Sequence, residues 1–216
     1  MNSEEKEIKF NIQSTYSTLN TLTANTKNIW FVCHGMGHLS RYFVKHFEAL
    51  PSETNYIIAP QAPSKYYLNP KNKRVGASWL TKENTMAEMN NVISYFDAIF
   101  EKEQLQNNPN LIFLGYSQGV SVALRYAAKR KIQFKEMLLV AGGIPKELHK
   151  NDFDYLKSNP LVKFYYGNND EYLNETRIKE ESLKLNQLFP NSAIHEFEGT
   201  HEFHFSKILE ISGVYK

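Results

Sequence analysis

Ser117, Asp170 and His201 carry the functional groups of a proton relay and occur in that order along the chain. Ser117 sits in Gly115-Tyr116-Ser117-Gln118-Gly119, directly after the apolar run Leu111-Ile112-Phe113-Leu114 and before a small-residue helical pattern. A serine hydroxyl is a weak nucleophile and needs an adjacent base. In G-x-S-x-G, a tight strand-to-helix turn lifts the hydroxyl above the sheet, and glycines leave room for that turn. An imidazole, with a pKa near ~6.5, can take and return a proton at neutral pH. A carboxylate can hold the ring in the right tautomer and stabilise the cation.

His201 is the preferred base because it follows Gly199-Thr200 at a strand end; His204, three residues on, falls in the terminal helical pattern. Asp170 is the preferred carboxylate because it completes the turn after "VKFYYGNN". Asp152 and Asp154 lie where no strand leads into them, and Glu171 stands one residue further on. The plain alternatives are a glycine-rich turn at Ser117 and an Asx turn at Asp170. An oxyanion needs two backbone N–H donors. One is expected from Gln118, after the nucleophile, and the other from Met36 in the early loop "HGMG".

Other reactive types read differently. His34 precedes those glycines and is expected to shape their loop. His34 and His38 have a metal-ligand spacing only on a helix, which Gly35 and Gly37 oppose. "HEFH" is not the H-E-x-x-H zinc motif. Cys33 ends a buried run and reads as a small core residue. No metal site and no cofactor are expected.

The elements that must position these residues alternate. "NIWFVCHG", "NYIIAP", "NLIFLG", "FKEMLLVAGG" and "PLVKFYYG" are short apolar runs ending near glycine or proline, as suits strands covered on both faces. Helical spacing falls between them, in "HLSRYFVKHFEAL", "ENTMAEMNNVISYFDAIFEKEQL", residues 118–130 and "ETRIKEESLKLNQLF". "NSAIHEFEGT" reads as a last strand and "FHFSKILEIS" as a terminal helix. The start, "IKFNIQSTYSTLNT", predicts one or two exposed strands at an edge. Residues 60–81, rich in proline and lysine, predict a long functional loop. The alternation predicts a single α/β domain over residues 1–216, built on a mostly parallel sheet with helices on both faces and an antiparallel N-terminal edge. Ligands of such sheets bind beyond the carboxyl ends of the strands, where Ser117, Asp170 and His201 fall.

Composition narrows the partners. The 216 residues carry a net charge of only +2, with lysines scattered, which leaves no footprint for nucleic acid. No apolar run approaches the ~18–20 residues that span a bilayer, so no stable membrane insertion is expected. One cysteine and an acidic, polar start without a signal-peptide pattern predict a cytoplasmic protein. The oligomeric state is left open.

"HGMG", "APQAP…GASW", "GYSQG", "GNNDEY" and "GTHEF" together resemble the phospholipase/carboxylesterase branch of the α/β-hydrolase superfamily, which includes acyl-protein thioesterases. The likeness runs from about residue 28 to residue 212, and Gln118 after the serine is its most specific mark. It implies an α/β-hydrolase fold, a Ser117–Asp170–His201 triad and oxyanion donors at Met36 and Gln118. It implies that the 60–81 loop borders an acyl pocket, with Tyr67 and Trp79 as substrate-binding residues. Two departures stand out: His38 where the family often has an acidic residue, and the bulky "THEFHF" around His201. The expected activity is hydrolysis of small-molecule carboxylic esters or thioesters through an acyl-enzyme, without cofactor. The alternatives are a dienelactone- or peptidase-type hydrolase on the same fold, and a catalytically silent binding protein.

Overall fold

The apolar run Asn28–Cys33 forms a strand, β2, whose two faces are both covered. Successive side chains leave a strand on opposite sides. Trp30 therefore meets Phe47 and Phe205 on one face, while Phe31 meets Phe96, Phe100 and Tyr126 on the other. Trp30 and Phe31 are both completely buried, which explains the continuous apolar pattern.

The computed structural model describes residues 3–69, 71 and 73–212. The remaining strands are β1 (Tyr16–Leu19), β3 (Asn55–Pro60), β4 (Ser64–Asn69), β5 (Arg74–Ser78), β6 (Leu111–Tyr116), β7 (Glu136–Val140), β8 (Leu161–Gly167) and β9 (Ala193–Phe197). The helices are α1 (Ser40–Phe43), α2 (Thr85–Lys102), α3 (Gln118–Arg130), α4 (Glu175–Leu188) and α5 (Phe205–Ser212). The main sheet has the order β1-β3-β2-β6-β7-β8-β9. β1 pairs antiparallel with β3, and every other neighbouring pair is parallel. This is the α/β-hydrolase architecture with an antiparallel N-terminal edge. The parallel strands all end at one rim, and the segments after β2, β6, β8 and β9 meet there.

The N-terminal stretch yields one strand, within the one or two expected: β1 pairs Tyr16 with Pro60, the last residue of β3, so residues before Tyr16 run past the end of their neighbour and have no edge to join. Two expectations need correction. The early helix is shorter than "HLSRYFVKHFEAL": α1 is a single turn that continues as a 3-10 turn, Val44–Phe47. Residues 60–81 are not an irregular loop. β4 and β5 form an antiparallel hairpin apart from the main sheet, pairing Tyr66 with Gly76 and Tyr67 with Val75. Pro63 lies before β4, where a missing N–H interrupts no pairing.

Candidate active site

Ser117 bridges β6 and α3 with φ 52° and ψ −119°, a left-handed φ that costs a non-glycine residue about 1–3 kcal/mol. Close packing holds it there. A Cβ on Gly115 would lie 2.5 Å from Val120 Cα, and one on Gly119 would lie 2.0 Å from the Cys33 carbonyl oxygen. Both glycines are demanded by space. The Ser117 N–H donates to the Val140 carbonyl at 2.8 Å, tying the turn to β7.

The three relay residues meet. His201 Nε2 lies 2.9 Å from Ser117 Oγ, and His201 Nδ1 lies 2.8 Å from Asp170 Oδ2. An ionised Asp170 only accepts, so it takes the Nδ1–H and leaves Nε2 to accept from the serine hydroxyl. The Asp170 side chain is fully enclosed. Its other oxygen accepts the Tyr172 and Leu173 N–H groups at 2.8 and 3.1 Å, so the buried charge is hydrogen-bonded on both sides. Ser117 is only partly buried. Tyr116 donates its hydroxyl to the His201 carbonyl at 2.6 Å, and the Tyr172 ring stands edge-on to His201 at 4.7 Å. His204 instead lies 3.7 Å from Glu202, and Asp152 accepts the His149 N–H in a local cap.

The glycine loop after β2 flanks this chain. Neither the Met36 nor the Gln118 backbone N–H donates to a protein group among the described residues. His34 is wholly buried beneath the loop. Its Nδ1 donates to the Gly35 carbonyl at 2.8 Å and its Nε2 accepts from the Ala62 N–H at 3.1 Å, which is the neutral ring. Burial pushes its pKa down to about 4. It serves as a loop brace. His38 packs on Tyr116 with ring centroids 5.5 Å apart, and burial, then the nearby His46 and His201, lower its pKa. Among the described residues no group of His, Cys, Asp or Glu is arranged to hold a metal ion.

The two residues expected at the substrate need revision. The Trp79 indole is completely buried, and its Nε1 donates to the His34 carbonyl at 2.7 Å, so it supports the site from below. Tyr67 is exposed on β4 and alternates with Tyr66 and Leu68. Those two face the glycine loop: a Cβ on Gly37 would lie 3.4 Å from Leu68 Cδ2 and 3.8 Å from Tyr66 Oη. Tyr67 therefore points away. The alternation within "SKYYLN" was the available signal, and the expectation of an irregular loop hid it.

Fold and geometry define an α/β hydrolase, and comparison with known proteins agrees. The phospholipase/carboxylesterase family profile matches residues 18–212, and the chain belongs to that family. It is a carboxylic ester hydrolase. Sequence comparison with curated proteins gives no match. Among solved structures it is similar to acyl-protein thioesterase 2 of Zea mays, at TM-score 0.68 and 15% identity, covering 94% of this chain and 99% of that one. It is similar to the Bacillus cereus carboxylesterase at TM-score 0.69 and 15% identity, with 94% and 93% covered. A phospholipase/carboxylesterase from Dyadobacter fermentans DSM 18053 superposes with TM-score 0.64 at 18% identity, covering 94% and 96%.

Proposed function

We propose that the protein hydrolyses small-molecule carboxylic esters, and thioesters by the same chemistry, through an acyl-enzyme on Ser117. The observation that carries this is the unbroken chain Ser117–His201–Asp170, with links of 2.9 and 2.8 Å, ending on a partly exposed, strained serine. Ser117 Oγ attacks the carbonyl carbon while His201 Nε2 takes its proton. Asp170 keeps the ring oriented and offsets the positive charge. The developing oxyanion is held by the Met36 and Gln118 N–H groups, aided by the N-terminus of α3. His201 then protonates the departing alcohol or thiol, and water attacks the acyl-enzyme with His201 again as base. No cofactor takes part.

The acyl group is assigned to the surface of Met36, Tyr66 and Leu68, three apolar side chains left exposed beside the glycine loop. We also read the chain as one domain, on the strength of a single buried cluster shared by both sheet faces. A cytoplasmic location fits the single, buried, free Cys33. Among the described residues no helix is long and apolar enough to cross a membrane.

A fluorophosphonate probe and a panel of nitrophenyl esters with a matched thioester test the reading. Wild type should label and hydrolyse, and Ser117→Ala should do neither. A protein that neither labels nor turns over any of these substrates would be the silent binding protein instead.

A further inference from the structure

Any residue but proline at position 118 would supply a backbone N–H, so the proposed oxyanion hole alone does not explain a glutamine there. The side-chain amide has its own partners. Gln118 Oε1 accepts the Trp79 N–H at 2.7 Å, and Gln118 Nε2 donates to the Leu80 carbonyl at 2.5 Å. Ser78 Oγ lies 3.3 and 3.2 Å from the same two atoms. The amide thus clamps the chain leaving β5 at two consecutive residues, accepting from Trp79 and donating to Leu80.

That stretch of chain also holds the other N–H donor's loop. The Gly37 N–H donates to the Ala77 carbonyl at 2.8 Å. Gly76 lies so close that a Cβ on it would meet the Gly37 carbonyl oxygen at 2.5 Å. Trp79, clamped at its N–H by Gln118, reaches the His34 carbonyl at 2.7 Å through its indole. Residues 76–80 therefore join Met36's loop to the first residue of α3.

We infer that the Gln118 side chain is a positioning residue that fixes the separation of the Met36 and Gln118 N–H groups by clamping residues 78–80. The inference rests on the serine-hydrolase reading. It explains why the amide has both an acceptor and a donor to satisfy, which neither a carboxylate nor a thioether can do.

The test compares wild type, Gln118→Met, Gln118→Glu and Ser117→Ala on one nitrophenyl ester. Affinity for a boronic acid that forms a tetrahedral serine adduct is measured alongside. Methionine keeps the length and removes both bonds; glutamate keeps the acceptor and loses the donor. The expected result for Gln118→Met is a kcat lower by about 10- to 100-fold with KM within about twofold, and boronate affinity weakened in proportion to kcat. Gln118→Glu, the second variant should methionine prevent folding, should fall between this and wild type. A purely structural clamp would lower the melting temperature while kcat per folded molecule and boronate affinity stay at wild-type values, and that result overturns the inference. If Ser117→Ala keeps full activity, the serine reading itself fails; if it is inactive while both Gln118 variants match wild type, only the clamp fails.

Discussion

At the scale of single residues, space decides more than chemistry does. Gly119 is needed because the Cys33 carbonyl oxygen, part of the β2 backbone, would sit 2.0 Å from a Cβ. Backbone buried in the sheet cannot give way, so Gly119→Ala should cost about 3 kcal/mol or more, or prevent folding. Gly143 offers the contrast. A Cβ there would meet Arg177 Nη2 at 2.7 Å, the far end of a flexible side chain, and its φ is not left-handed. Gly143→Ala should therefore cost under about 1 kcal/mol. Urea denaturation of both variants checks the pair, and equal losses would show that the elbow tolerates a shift these contacts forbid. The relay residues were legible because each follows a strand end. The amide of Gln118 was not, since its partners come from a hairpin about forty residues earlier in the chain.

At the scale of elements, patterns were readable wherever burial alone sets them. β2, β3, β6 and β7 lie inside the sheet and read as unbroken apolar runs. The β4–β5 hairpin did not announce itself, because all six residues of β4 are exposed and its prolines suggested irregular chain. On the proposed reading, its orientation decides which of its side chains stand beside the glycine loop. Tyr66 and Leu68 lie over Gly37, whereas Tyr67 faces the other way. The double substitution Tyr66→Ala with Leu68→Ala should shift the preference between short- and long-chain nitrophenyl esters by about 10-fold, since one methylene in an apolar pocket is worth about 1–3 kcal/mol. Tyr67→Ala should leave that ratio within about twofold. A shift confined to Tyr67→Ala would reverse the facing of the strand.

At the scale of the whole molecule, folding buries His34 as a neutral ring, and this contributes to how stability responds to acid. Burial lowers the pKa of His34 from 6.5 to about 4, and it lowers those of His38, His46 and His195 in the same direction. Between those two values the unfolded chain binds more protons than the folded one, so stability is complete above about pH 6.5 and is lost as the pH falls toward 4. For His34 alone the loss across that window is about 3 kcal/mol, because each pKa unit corresponds to about 1.4 kcal/mol. The ring cannot easily escape this by moving: both nitrogens are bonded, and only a neutral ring can accept the Ala62 N–H. Denaturation midpoints measured from pH 7.5 to 4 should fall steadily in wild type. In His34→Asn, which can keep a donor and an acceptor but does not titrate, stability should be lower at pH 7.5 and the slope below pH 6.5 visibly shallower. An unchanged slope in that variant would mean that the acid sensitivity of the fold lies with the other histidines or the carboxylates, and not beneath the glycine loop.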